Sequence, residues 1–160
     1  MDVLGAGGSA RAVVSGLWDF GCEVTLYGRS PEPTHALAER FRCRAAPWED
    51  RIRRTGQVLI NCTSVGMAPA ADLSPMPPDG LSGCRLVFDL VYNPLRTKLL
   101  DDAAATEIAT LNGLDMFLRQ AAMQFELWTG WAPDISRIRP FIERELSRGR
   151  NTIPACREPA

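Results

Sequence analysis

Short apolar runs and helix-forming stretches take turns along this chain, and their order predicts most of its secondary structure. Met1 to Leu4 form a very short apolar run that meets a glycine at once, and a helix-forming stretch covers residues 8–20, with Gly21 a suitable left-handed stop. Residues 23–27, rich in β-formers and flanked by glycines, predict a second strand. Residues 34–41 predict a second helix with Thr34 at its N-cap. A short helix at 48–54 precedes a compact apolar strand at 57–60, of the type buried in parallel sheets. Prolines, glycines, Asp and Ser then dominate 68–83, which predicts a loop. A strand at 85–89, a helix at 97–105 and a short strand at 107–111 complete the alternation. The order β-α-β-α-β-β-α-β predicts an α/β layer fold whose crossovers are right-handed.

The longest predicted helix covers 114–130. Leu114, Phe117, Ala121, Phe125 and Trp128 fall on one face at helical spacing, while Met116, Met123 and Leu127 fall on the adjacent face with Gln120 among them. Residues 140–148 predict another helix, with Pro140 at its first position. Residues 149–160 show no periodicity and are expected to fray as a disordered tail, leaving 1–148 as the folded domain.

The first strand runs directly into Gly5-Ala6-Gly7-Gly8-Ser9-Ala10 and then into a helix. That context suits a dinucleotide-binding turn, because Gly5 permits the tight turn and Gly7 lets backbone amides approach a pyrophosphate. Ala10 lets the helix sit close to the strand, and the helix N-terminus favours negative charge. The competing reading is a glycine-rich connection without a ligand. With the layer order, the turn predicts a Rossmann-like, doubly wound and mainly parallel sheet with flanking helices.

Composition narrows the function classes. A net charge of −1 gives no reason to expect nucleic acid or an anionic membrane surface as a partner. Lys98 is the only lysine among 18 basic residues, a bias read as compositional. The five cysteines, an odd count with no CxxC pair, fit buried thiols in a reducing compartment better than disulfides or a zinc site. No apolar run approaches membrane-spanning length and no signal-peptide pattern opens the chain, so a cytoplasmic protein is expected.

Nicotinamide-binding folds of this kind place an acid after the second strand to hold the ribose 2′-hydroxyl. Here that position reads Gly28-Arg29-Ser30, and a guanidinium suits a 2′-phosphate. NADP is therefore expected over NAD, with NAD as the alternative. Glu32 works against the extra phosphate, and a solvated surface arginine is the plainer reading of Arg29.

Further motifs follow in order: Ile60-Asn61-Cys62-Thr63-Ser64-Val65-Gly66-Met67, Asp89-Leu90-Val91-Tyr92-Asn93-Pro94, Asn112-Gly113-Leu114-Asp115-Met116 with Gln120-Ala121, and Leu127-Trp128-Thr129-Gly130. With the glycine turn they resemble the cofactor-binding half of the shikimate dehydrogenase family, over roughly residues 3–146. The resemblance implies that Gly5 to Ala10 form the pyrophosphate turn and that Gly28, Arg29 and Ser30 meet the 2′-phosphate. A second arginine common in the family is replaced by Pro33. Leu90 and Gly113 fall where backbone meets the nicotinamide end, and Tyr92 and Gln120 fall where this half reaches the substrate.

The residues give some of these assignments independent support. Tyr92 follows the C-terminal end of a buried strand, where open α/β sheets bind ligands. Gln120 is a lone amide on an apolar helix and must find backbone, water or substrate as its partner. Asn61 is read as tying its turn together, while Thr63 and Ser64 either share that task or touch the cofactor.

The family's catalytic lysine and its aspartate belong to an N-terminal substrate-binding domain whose motifs do not occur here. Lys98 is expected on a helix surface, Asp89, Asp101 and Asp102 are expected to lack a basic partner at catalytic spacing, and His35 is expected to be solvated or at most near the adenine. The resemblance thus implies half of an oxidoreductase that moves hydride between NADPH and the 3-keto group of 3-dehydroshikimate, inactive without a separate N-terminal domain. Quinate or an amino analogue is the alternative substrate, and a non-catalytic dinucleotide-binding module or partner subunit is the alternative class. The face toward that domain is expected to be apolar, making the isolated chain sticky or oligomeric, a homodimer in the simplest case.

Overall fold

A computed structural model describes residues 1–147. Within them the chain divides into two compact units, one of Met1–Phe117 and one that begins at Leu118.

The first unit is built on six parallel strands. In chain order these are β1 (Asp2–Leu4), β2 (Thr25–Gly28), β3 (Arg44–Pro47), β4 (Val58–Asn61), β5 (Leu86–Asp89) and β6 (Ala109–Leu111). In space they run β3-β2-β1-β4-β5-β6, the doubly wound order. Both neighbours of β1 are parallel to it, with Leu4 opposite Tyr27 on one side and Asn61 on the other. The order reverses between β1 and β4, so the chain leaves these two strands in opposite directions and opens a crevice at their C-terminal ends.

Alternation along the strands feeds two cores. Val3, Leu26 and Ile60 point to one face, where Ala10 and Val14 of α1 (Gly8–Asp19) and Leu37 and Ala38 of α2 (Pro31–Phe41) cover them. Leu4, Tyr27, Leu59 and Val87 point to the other, against Met76, Leu81 and the Leu99–Leu100–Ala103 face of α3 (Lys98–Ala104). A sheet covered on both faces needs apolar residues at successive positions, which is why these strands read as continuous apolar runs.

Three local expectations are corrected. Helix α2 begins at Pro31 with Ser30 at its cap, and Thr34 lies inside it, buried, its hydroxyl donating to the Ser30 carbonyl at 2.7 Å. Two prolines in the first turn start this helix earlier than polarity indicates. Pro140 sits inside α5 (Ile135–Ser147), whose start is set by Asp134 accepting from the Ser136 amide at 2.9 Å and hydroxyl at 2.6 Å. Strand β3 has no counterpart among the predicted elements: it is a sheet edge of mixed character, Arg44-Ala45-Ala46-Pro47. The expectations for residues 149–160, Cys156 among them, lie outside the described residues.

The second unit holds α4 (Leu114–Thr129) from Leu118 onward, and α5. It exposes Met123, Leu127, Trp128, Trp131 and Phe141, each by half or more. No helix among the described residues is long and apolar enough to cross a membrane.

The N-terminal edge of the sheet carries a buried ion pair. The Arg54 guanidinium reaches Asp2 at 3.4 Å, both side chains almost fully buried, and donates to the carbonyls of Gly80 at 3.0 Å, Ser82 at 3.2 Å and Gly56. Asp2 also accepts from the Gly56 amide at 2.8 Å. One side chain thus pins β1 to the segments leading into β4 and β5. Removing one partner of such a pair leaves a buried charge uncompensated. Arg54→Met should therefore lower unfolding free energy by about 3 kcal/mol in urea denaturation, and adding Asp2→Asn should recover part of it. A loss under about 1 kcal/mol for the single variant would show that water replaces the guanidinium.

Candidate functional site

The crevice starts at the turn between β1 and α1. Gly5 has φ +105°, and an added Cβ would crowd the Thr63 methyl at 3.2 Å and the Cys62 carbonyl at 3.3 Å. A side chain there would be strained by both backbone and neighbours. Gly7 and Gly8 differ: a Cβ on either would meet nothing within 4 Å, and both are exposed, as is Ser9. Their smallness answers to no protein neighbour and leaves the backbone open from outside. Helix α1 begins here with Gly7 at its cap, no side chain bonded to its first amides and no acid in its first turn. Those amides and the dipole present an uncompensated site for an anion. Ala10, fully buried against Val3, lets the helix approach the strand.

Across the switch point a buried polar chain shapes the loops after β4 and β5. Asp89 accepts from the Asn61 side-chain amide at 2.9 Å, the Val91 backbone at 3.0 Å and the Thr97 hydroxyl at 2.6 Å. Asn61 accepts in turn from the Thr63 amide at 3.0 Å and hydroxyl at 2.7 Å. The Thr97 oxygen also caps α3, accepting from Leu100 at 3.4 Å. Asn61, Asp89 and Thr97 are all fully buried. The Thr63 hydroxyl is therefore committed to the turn, since it also accepts from Val65 at 3.2 Å, while Ser64 stays exposed.

Burial pushes the Cys62 thiol up to about 12, with the Asp89 charge adding to the effect, so this thiol is not a nucleophile. The four described cysteines are free thiols.

These pieces converge on one groove of about 370 Å³. Gly5, Ala6 and Gly7 line it together with Cys62, Thr63 and Ser64 and with Gly28, Arg29 and Ser30. Gly28 is required by its neighbour, because a Cβ there would run into the buried Thr34 side chain. Arg29 is exposed at the groove's end. The uncapped helix and the guanidinium thus line the same groove, open backbone amides on one side and an exposed cation on another.

At the end of β5, Leu90 and Gly113 meet through their backbones. A Cβ on Gly113 would overlap the Leu90 carbonyl, and the Gly113 amide donates to Val91 at 3.2 Å. The Gly113 carbonyl accepts from Phe117 at 2.9 Å and keeps its second lone pair. Tyr92 stacks on Phe117, ring centroids 4.4 Å apart and planes 21° apart. Gln120 is exposed on α4, within the second unit.

Residues 113–140 match the model of the shikimate 5′-dehydrogenase C-terminal domain. A shikimate dehydrogenase (NADP(+)) of Oleidesulfovibrio alaskensis is 39% identical over 151 residues, covering 92% of this chain and 54% of that protein. Among solved structures, shikimate 5-dehydrogenase from Thermus thermophilus, in complex with NADP(H) and shikimate, gives a TM-score of 0.76 at 38% identity. That match covers 93% of this chain and 54% of that one. The chain is similar to the C-terminal half of shikimate dehydrogenases. It spans about half the length of the curated relatives it matches. Quinate dehydrogenase from Corynebacterium glutamicum, in complex with NAD, gives a TM-score of 0.79 at 28% identity over 88% of this chain and 53% of that one.

Two expectations about charges need revision. Asp101 and Asp102 do have basic partners: Arg96 reaches Asp101 at 2.6 Å, and Lys98 holds both oxygens of Asp102 at 2.9 Å. Both are partly exposed pairs, and Lys98 is a surface residue one turn from its acid. Periodicity places Phe117 only on an apolar face; its role as the platform under Tyr92 follows from a contact 25 positions away in sequence. The Asn61–Asp89 bond is likewise invisible to periodicity, although Asn at one strand end and Asp at the next is the signal that could have found it.

Desolvation raises the Asp89 carboxyl above its ordinary range, against the opposing pull of Thr97, Val91 and Asn61. Between the ordinary value and the raised one, the folded chain keeps a proton that the unfolded chain has released. This group's contribution to stability is therefore greatest in acid and falls as pH rises through that window. Asp89→Asn, neutral throughout, should remove the slope. Its stability relative to the parent should rise with pH from about pH 4 upward in urea denaturation; a pH-independent difference would contradict the raised carboxyl.

Proposed function

We propose that this chain is the NADP-binding half of a shikimate dehydrogenase-type oxidoreductase. The observation that carries the reading is a single groove joining the uncapped N-terminus of α1 to Arg29. In it the amides opening α1 would hold the pyrophosphate, and Arg29 with Ser30 would hold the 2′-phosphate. Leu90 and Gly113 would fix the nicotinamide amide through backbone groups. Tyr92, set by Phe117, would meet the substrate from the first unit, and Gln120 of the second unit is assigned to the substrate by the resemblance alone. When bound, the reduced nicotinamide supplies hydride to the 3-keto carbon of 3-dehydroshikimate. The proton that completes the alcohol must come from a positioned acid. Lys98 is engaged by Asp102 and Asp89 is buried, so neither serves, and that acid is assigned to a substrate-binding domain.

A second reading rests on that same shortage of acid–base groups: a dinucleotide-binding module without turnover. Quinate is the alternative substrate, since the groups that would read the substrate's hydroxyls lie outside this half.

Energy transfer from tryptophan to bound reduced nicotinamide tests the reading. The chain should bind NADPH more tightly than NADH. Arg29→Ala should weaken NADPH at least tenfold, as loss of a charge-assisted hydrogen bond worth about 1.5–3 kcal/mol implies, and leave NADH unchanged. Gly7→Ala should weaken both nucleotides while shifting Tm little, because its Cβ meets open space. Saturation by neither nucleotide would overturn the proposal.

The exposed apolar side chains of the second unit, among them Met123, Leu127 and Trp128, are assigned to a contact with the substrate-binding domain. Alone, the chain should self-associate in sedimentation and enhance the fluorescence of a hydrophobic dye. A monomer that leaves the dye dark would remove this assignment.

A further inference from the structure

Beyond Arg29 the groove continues into a recess of about 90 Å³ that no part of the mechanism above uses. Its walls include Arg29, Thr34, His35, Trp48 and Glu49, and it shares Gly28, Arg29, Thr34 and Trp48 with the larger groove. A nucleotide reaching Arg29 must therefore set its adenosine end beside this recess.

The backbone has little to offer an anion here, in contrast to α1. Pro31 and Pro33 in the first turn of α2 carry no N–H, and the Thr34 amide already donates to Ser30 at 3.3 Å. Side chains must hold a phosphate at this helix end, and only two in the recess are or can become cationic. Arg29 is one. His35, exposed on α2 and also lining the recess, is the other.

We propose that His35 is the second cationic contact of the 2′-phosphate, and that its protonation sets how strongly this chain prefers NADP(H) to NAD(H). The proposal rests on the groove binding a dinucleotide. The charged residues around His35 are Arg29 and Glu49, which line the recess with it, and Glu32 and Glu39, which lie about one turn either side of it on α2. With His35 neutral, one arginine faces these acids, and a phosphate adds to the negative side. With His35 charged, the recess gains the cation that a dianion requires. A free 2′-hydroxyl carries no charge, so NAD(H) affinity should not follow the imidazole. An imidazole changes charge between about pH 5 and about pH 8.

Calorimetric titration with NADP⁺ and NAD⁺ at about pH 6 and about pH 8 tests this, comparing the parent with His35→Gln and His35→Arg. The phosphate's own second ionisation near 6 is common to all three proteins and cancels between them. At the lower pH the parent should favour NADP⁺ over NAD⁺ by roughly three- to tenfold more than His35→Gln does, and at the higher pH the two should converge. His35→Arg should keep the strong preference at both. Because His35 is the only histidine, its imidazole gives one set of proton resonances; their midpoint should rise on adding NADP⁺ and stay fixed on adding NAD⁺. Equal selectivity of parent and His35→Gln at both pH values, with NAD⁺ still bound, would overturn the role of His35 and leave the groove intact. Failure to bind either nucleotide would overturn both.

Discussion

Where β4 and β5 leave the sheet, their backbones must turn outward while still surrounded by core, and buried amides there need partners within the protein. The bonds that converge on Asp89 supply those partners from within. A carboxylate has enough lone pairs to accept from one strand end, its own following loop and a helix cap at once, which no neutral side chain of that size can do. The cost is a charge taken out of water, visible in the direction in which its carboxyl is displaced. The return is geometric. The loop of Thr63 and Ser64, the backbone of Leu90 and Val91, and the start of α3 are held in one register, and each borders the place where a ligand would lie.

Arg54 does the corresponding work at the other end of the sheet. Its planar group donates in several directions to carbonyls that loops would otherwise leave unpaired. With both ends tied, the crevice between β1 and β4 has walls that cannot slide. The α1 turn then needs only a small residue where the backbone doubles back and open space where a ligand approaches, which is the division between Gly5 and Gly7.

What can be read from the sequence is what is local. The glycine turn, the buried strands and the two long helices are each written in fewer than twenty consecutive residues, with the periodicity that a two-sided parallel sheet imposes. The start of α2 misleads because Thr34 looks like a cap, whereas Pro31 with its fixed φ opens the helix a turn earlier. Strand β3 escapes because an edge strand has one ladder to satisfy and one partly exposed face, so Arg44-Ala45-Ala46-Pro47 carries no apolar run. The candidate site is legible as a set of positions, and its internal support is not. Asn61 with Asp89, Arg54 with Asp2, and Tyr92 on Phe117 are pairings between distant segments, decided by topology.

The two ends of the groove are built on different principles, and on the proposed function this separates affinity from selectivity. At α1 the donors are backbone amides on a helix packed into the core, so they are fixed in place and indifferent to pH. At α2 prolines remove backbone donors, and the groups left at that end are the exposed side chains of Arg29, Ser30 and His35. A rigid backbone site binds any dinucleotide that presents a pyrophosphate. Side chains at the adenosine end decide only whether an additional charge is welcome. On the proposed function, substitutions at α2 would therefore retune cofactor preference without removing a backbone donor from the turn after β1.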